Sequence, residues 1–547
     1  MLMYIKFVKN YLKKYIKTII LIEILLLGQV IAKVFVPKVF SIIIDINLPA
    51  KDRRALNICV LILALLYIGD AILGYLQSYL IAVVQGDLGE RLRKELNGKV
   101  GKWKFEIFDQ VGLADVIARY GKEVEIIKRN IAYLITNFFK NIFTLLMGSV
   151  VLFSTNPCIC FITILISMIY LINNIVWGKK IKAVALENIE NNAESLECIT
   201  ENYKSVLLTK SYNINNFFNQ KFDDIYKKQY NSEIKLMSLK SANIYAGFII
   251  LSFICIFIWL IGGHAMIRGN ITIGEIIALI NYQGMIVNPM NSFSTFINNL
   301  EEAKVSIERI MEYLDLEEEV AGGLELDRVN EIKLVQVDFT YKNREKVLSK
   351  MCFSISRGEV VALVGRSGSG KSTIGKLLIN LYKPDSGVVL LNGISVSQYN
   401  VYRVRDKILF ISQESLFLHD TILNNLKMYR AVQYREIEYY CDELDIKNEI
   451  TEMPLRYNTV IDINTGNLSG GQKKRLEIVR GLVRNADMYI FDEVESSLDE
   501  KRRILFWNII RKLKQQGKLI IIITHYAQET KYFDKIIDLD RNKNSDT

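Results

Sequence analysis

Through roughly its first three hundred positions the chain carries apolar residues in blocks too long for the helices of a soluble core; past residue 316 those blocks shrink to short runs set between helical patterns. Six blocks are long enough for the ~20 residues of helix that a bilayer core demands: 17–44, 56–85, 131–154, 158–178, 243–266 and 273–298. The sixth contains Asn281, Gln283, Asn288 and Asn291, a polarity suited to a helix facing a bundle interior or a water-filled cavity rather than lipid. The connections alternate in length. Those at 46–55, at Asn156-Pro157 and at 267–272 are short, whereas 86–130 and 179–242 are long, charged and helical in pattern.

The second half has a different grammar. An acidic, glycine-containing stretch, Leu316 to Gly323, reads as the start of a linker over 317–330. Short β-rich runs then alternate with helical patterns: Ile332–Tyr341, Val360–Val364, Gly387–Leu391, Ile408–Ile411, Met488–Phe491 and Leu519–Thr524. Such alternation predicts an α/β domain with a largely parallel core sheet. The expected organisation is an all-α six-helix transmembrane domain over 1–316, the linker, and an α/β domain over 331–547.

Composition fits two unlike parts, since half of the residues are hydrophobic while 23% are charged. The formal charge of +10 would suit nucleic acid, but its placement argues otherwise. Lys6, Lys9, Lys13, Lys14 and Lys17 lead into the first block, and Arg91, Arg93, Lys94, Lys99, Lys102 and Lys104 follow the second. Positive charge is retained on the inner side of membranes, so the long links and both termini are expected in the cytoplasm. No basic patch interleaved with aromatics appears, which excludes nucleic acid as a partner. The seven cysteines are scattered; Cys158-Ile159-Cys160 lacks the second pair or nearby histidine of a zinc site, and small-apolar packing is the expected role for all of them. The first block is too long for a cleavable signal and has no small-residue cleavage site. A Lys-, Ile- and Asn-rich composition suits an AT-rich bacterial genome.

Three motifs carry the chemistry. Gly365-Arg366-Ser367-Gly368-Ser369-Gly370-Lys371-Ser372-Thr373 follows a buried-type strand and opens a helix. That is the context in which glycines turn backbone amides onto phosphates and a helix N-terminus adds its partial positive charge. Lys371 is then expected on the β- and γ-phosphates of ATP and Ser372 on Mg2+. Met488–Phe491 ends in Asp492, a further Mg2+ ligand, and Glu493, placed to polarise the attacking water. Between them lies Leu468-Ser469-Gly470-Gly471-Gln472. It offers a hydroxyl and bare amides to a phosphate that the first loop already holds, so each copy is expected to complete its neighbour's site. His525, closing the run Ile523-Thr524, is placed to sense the γ-phosphate.

On these motifs and the six spans, the whole chain resembles an ATP-binding cassette exporter half-transporter, in which the α/β P-loop ATPase domain includes a helical subdomain. The resemblance implies that Tyr341 stacks on adenine and that Gln413, in Ile411-Ser412-Gln413-Glu414, touches Mg2+ and reports to the membrane domain. It places Ser469 and Gly471 on the partner's γ-phosphate and Asp499, in Ser497-Leu498-Asp499, in the loop that crosses the dimer interface. Phe105 to Gly112 and Glu201 to Lys210 resemble the two cytoplasmic turns that transmit motion. Two departures stand out: Thr459-Val460-Ile461-Asp462-Ile463 where the family carries a glutamate before the signature, and Tyr526 where arginine is common.

The implied function is ATP-driven export by alternating access in a homodimer, with a heterodimer the alternative, from a multi-pass position in a bacterial cell membrane. A peptide of bacteriocin or modified-peptide type is the favoured cargo, reminiscent features being Ile43 to Pro49 and the genome type. Multidrug efflux of hydrophobic small molecules and lipid flipping share the architecture, and a gated channel is the remote alternative. With no cysteine-protease domain ahead of the spans, leader processing by this chain is not expected.

Overall fold

A computed structural model describes residues 7–319, 322–342, 345–462, 467–524 and 530–540. The chain divides into two compact units, one of residues 1–99 and 113–316, the other of 100–112 and 317–547.

The first unit is helical. Its long members are α1 (Ile16–Ile42), α2 (Arg53–Val100), α3 (Val124–Thr155), α4 (Pro157–Lys204), α5 (Asn215–Ile267) and α6 (Ile273–Leu314). At 1.5 Å per residue, α2, α4 and α5 reach roughly 70–80 Å, more than twice a bilayer core. The long links are thus continuations of the spans themselves. Among the described residues, five helical runs are long and apolar enough to cross a membrane; α6 falls short because of its amides. Local sequence sets the turns between them. Asn156 caps α4 by accepting from the Ile159 amide, with Pro157 at the first helical position, where its missing N–H costs nothing. Thr272 and Glu275 form a reciprocal capping box at the start of α6, and Asp45 also accepts from the Thr272 hydroxyl and the Gly274 amide. Leu152, Ile159, Ile254, Ile258, Ile276, Leu279 and Ile286 make the inner core. Leu61, Leu65, Ile68 and Ile72 of α2 point outward, the apolar surface that lipid would cover.

The second unit contains two sheets. One is antiparallel, in the order β2 (Lys346–Ser356), β1 (Glu331–Thr340), β4 (Ser386–Leu391), β5 (Ile394–Ser395). The other is parallel, in the order β6 (Ile408–Ile411), β7 (Met488–Asp492), β8 (Leu519–Ile523), β3 (Val360–Val364), β9 (Lys535–Asp538). β2, β5 and β9 are absent from the sequence reading for separable reasons, β5 because it is only two residues long. Register shifts break the period-two pattern of β2, where Lys350 takes a left-handed φ of 42°. β9 is short and only half covered at the sheet edge.

The parallel strands are apolar on both faces, and alternation deals their side chains into two cores. Met488, Ile490, Leu519, Ile521 and Ile523 join the antiparallel sheet and α7 (Lys371–Leu378) in one. Tyr489, Phe491, Ile520 and Ile522 join the helical elements α8 (Ile422–Lys427), α9 (Tyr434–Glu443), α10 (Gly470–Val483) and α11 (Glu500–Gln515) in the other. The helix that follows the phosphate loop and the helix that follows the Ser-Gly-Gly-Gln element therefore pack on opposite faces of one sheet.

Candidate functional site

The loop 365–370 joins β3 to α7 with three left-handed glycines, Gly365 (φ 154°), Gly368 (φ 80°) and Gly370 (φ 101°). At Gly370 the requirement is double, because a Cβ would also lie 2.6 Å from Leu348 and 2.9 Å from Val347. Gly370 is the N-cap of α7, so the free amides of that helix open into the loop. Lys371 is buried, and its ammonium donates to the carbonyls of Gly365 (2.8 Å) and Arg366 (2.9 Å), which holds it across the mouth of the loop. Arg366 is anchored by its amide on Asp540 (2.9 Å). Ser369 is buried, and Thr373 meets the Tyr341 hydroxyl at 3.0 Å.

Asp492 ends β7 with only 3% of its surface exposed. Burial raises its pKa, with the adjacent Glu493 charge acting the same way, against a Ser372 hydrogen bond and the Lys371 charge, which favour the carboxylate. Its Oδ1 is buried with no hydrogen-bond partner among the described residues. A buried carboxylate with an unused oxygen, beside a serine hydroxyl, is the oxygen-only donor set that Mg2+ takes. Ser372 and Asp492 fit that ion. Glu493 follows in the left-handed region (φ 51°), a backbone that turns its side chain away from the strand line, and Gln413 Nε2 donates to Glu493 Oε2 at 2.8 Å. Gln413 and Glu493, eighty positions apart, are therefore neighbours at the ends of adjacent strands β6 and β7.

Ser469 is the N-cap of α10, in a capping box with Gln472: Ser469 Oγ accepts from the Gln472 amide, and Gln472 Oε1 accepts from the Ser469 amide at 2.7 Å. Gln472 Nε2 continues to Glu449 (2.9 Å), which also takes Arg475 (2.9 Å) and Arg502 (3.1 Å). Gly470 and Gly471 are not needed as glycines by this chain's own packing. Among the described residues a Cβ would meet nothing at Gly470 and only the Ser497 carbonyl, at 3.7 Å, at Gly471. Asp499 caps α11 through the Arg502 amide (2.9 Å).

Tyr341 is half-buried, its ring edge-on to Phe339 and Tyr382, at one wall of a cavity of about 940 Å³ that Lys376 and Lys342 also line. The sequence reading singled out Phe105 to Gly112 as a turn that transmits motion, but not the side chains it meets. The Tyr382 hydroxyl donates to Asp109, Phe105 sets its ring edge against Tyr382 (5.5 Å), and Lys342 donates to Gln110 (2.7 Å). Segment 100–112 is thus part of the second unit. Nothing local in the sequence marks this pairing, because its partners lie far apart along the chain. His525, Tyr526 and Ile463 lie outside the described residues.

Two family models match the chain: the ABC transporter transmembrane region over residues 19–290 and the ABC transporter model over 348–496. Among curated relatives, an export ATP-binding/permease protein of Rickettsia typhi is 28% identical over 98% of this chain and 94% of its own length. The transport/processing ATP-binding protein ComA of Streptococcus pneumoniae is 29% identical over 92% of this chain and 70% of its own. An ATP-dependent lipid A-core flippase of Vibrio cholerae is 28% identical, over 88% and 84%. A bacterial Atm1-family ABC exporter solved with ATP bound shares the fold, with a TM-score of 0.81 at 19% identity, over 97% of this chain and 94% of that one.

Proposed function

We propose that this chain, which belongs to the ATP-binding cassette exporters and is an ATPase coupled to membrane transport, works as a pair of identical copies that enclose two ATP molecules and export a peptide. Each ATP lies between the Gly365–Thr373 loop of one copy and Ser469, Gly470 and Gly471 of the other. One observation supports this reading: α7 and α10 pack on opposite faces of the parallel sheet, and the start of α10 is exposed, with two glycines that leave its amides uncovered among the described residues.

Chemically, Lys371 binds the β- and γ-phosphates and leaves its two carbonyl partners to do so. Ser372, Asp492 and Gln413 would hold Mg2+, which when bound would neutralise charge on the phosphates. Glu493 accepts the proton of the attacking water, and Gln413, already bonded to it, orients its carboxylate. Tyr341 supplies the face for adenine, Asp499 the crossing to the other copy, and His525 the γ-phosphate contact. ATP drives the cycle because it binds the closed pair better than the open one, and that difference turns the cargo chamber outward. Both termini and the ATPase unit sit in the cytoplasm of a bacterial cell. Two relatives support a peptide cargo, ComA and a lactococcin-G-processing and transport protein of Lactococcus lactis; the flippase named above supports a lipid.

The test is complementation between copies. K371A lacks the phosphate loop's cation but keeps the signature; S469R does the reverse. Neither should hydrolyse ATP alone. A mixed pair contains one intact composite site and should recover a substantial part of wild-type turnover. Purified mixed pairs as inactive as either parent would sink the composite site.

A further inference from the structure

Of the charges inside the spans, which have no part in nucleotide chemistry, three come together: Lys33 on α1, Asp70 on α2 and Lys140 on α3. All three line a single cavity of about 620 Å³ bounded by α1, α2, α3 and α6. Neither lysine makes an ion pair among the described residues, and Asp70 Oδ1 is buried without a hydrogen-bond partner. An ionised group at such a depth costs several kcal/mol unless it faces a cavity or a partner, and by default it marks a substrate path. Gln29, Asn137, Asn281 and Asn288 add amide donors and acceptors to the same wall. Beside it, sharing Asn141 and Pro289, is an apolar hollow of about 330 Å³ lined by Phe138, Phe293 and Phe296, with Phe138 and Phe296 stacked at 5.3 Å.

We propose that this cavity is a cargo site selective for acidic, amphipathic peptides, with carboxylates held between Lys33 and Lys140 and apolar side chains in the aromatic hollow. The proposal rests on the export reading above and names its substrate class. Charge decides against a cationic drug, which would meet two lysines and one aspartate in a low-dielectric wall. Amides decide between a peptide and an anionic lipid. Each Asn or Gln both donates and accepts, which matches a peptide backbone. A lipid phosphate offers only acceptors and leaves the acceptor oxygens of those amides without a donor.

The experiment uses the full-length protein in nanodiscs and BODIPY-labelled Ala/Leu peptides of equal length carrying Asp, Gln or Lys, with binding read by fluorescence anisotropy without nucleotide. The acidic peptide should bind at least about tenfold tighter than the basic one, the factor that ~1.4 kcal/mol of differential interaction gives. K33E/K140E should invert that order, a result that damage to the fold cannot produce. Equal affinity for the three peptides, an unchanged order in K33E/K140E, or displacement of the acidic peptide by soluble short-chain phosphatidylglycerol at constant nanodisc lipid would each overturn the assignment. Failure here alongside successful K371A/S469R complementation removes the acidic-peptide site and leaves the paired ATPase standing; failure of both removes the premise.

Discussion

Replacing Asp492 with Asn should have opposite effects on stability with and without nucleotide. The side chain is buried at the end of β7, one oxygen has no partner among the described residues, and the Glu493 charge is adjacent. An unsatisfied buried acceptor costs about 1–3 kcal/mol, more when charged. Asn keeps the shape and removes the charge, though its amide still lacks one partner. We therefore expect D492N to stabilise the nucleotide-free ATPase unit by about 1–2 kcal/mol, or roughly 2–8 °C at ~2–4 °C per kcal/mol for a unit of this size. With ATP and Mg2+ the order reverses. A ligand at a hundred times its Kd adds ~2.7 kcal/mol, and a variant unable to hold the ion through this position should lose most of that increment. The pH dependence follows from the raised pKa. Stability from the neutral carboxyl is present at low pH and lost as pH rises through the folded value, while Mg2+ affinity grows over the same rise because the ion needs the carboxylate. Both dependences should flatten in D492N. The assay is thermal unfolding of the full-length protein in detergent, with and without ATP, Mg2+ and EDTA, across pH. A lower transition for nucleotide-free D492N, or an undiminished Mg2+-ATP increment, would refute the reasoning.

E493Q should lower hydrolysis by about 10²–10⁴-fold, the usual worth of a positioned base, while ATP binding persists. The new amide can turn its oxygen toward Gln413 Nε2 and keep that 2.8 Å contact; turnover within tenfold of wild type would remove Glu493 from its role. Y382F keeps the ring against Phe105 but deletes the hydroxyl that Asp109 accepts from. Because Asp109 is exposed and can be rehydrated, the stability cost should stay below about 1 kcal/mol. Amide exchange over residues 105–111 should nevertheless quicken at unchanged ATP affinity, and unaltered exchange would show that Tyr382 does not fasten this segment.

What could be read from the chain, and what could not, follows from the distance over which each feature is written. The phosphate loop, the Asp492-Glu493 strand end and the Ser469–Gln472 cap each need consecutive residues in a fixed backbone, so nine or fewer positions declare them. The Tyr382–Asp109 contact is written across 273 positions, and no local pattern announces it. Lys33 and Lys140 are hidden in another way, because averaging hydropathy over a span lets neighbours such as Ile31, Val34, Ile142 and Phe143 outvote a single charge. The same averaging gives the opposite result in α6, whose amides pull it below the other spans although it is one unbroken helix.

The signature element shows why residue type alone is not a role. Ser469, Gly470, Gly471 and Gln472 read together as one phosphate-binding element of a hydroxyl, bare amides and a side-chain amide. In the fold Gln472 is committed at both ends of its amide, to the Ser469 N–H and to Glu449, and Glu449 is in turn held by Arg475 and Arg502. Gln472 is thus a brace that fixes the angle of the cap. What faces outward is smaller: the Ser469 hydroxyl proton, which the cap leaves free because its oxygen only accepts, and the amides at the start of α10, which have no intrahelical partner. That set has only donors, at the positive end of a 14-residue helix. A side chain at Gly470 or Gly471 would clash with none of the described residues, yet it would hold a phosphate off those amides. The glycines thus keep this donor set open to a ligand, which is what the proposed site between two copies would require.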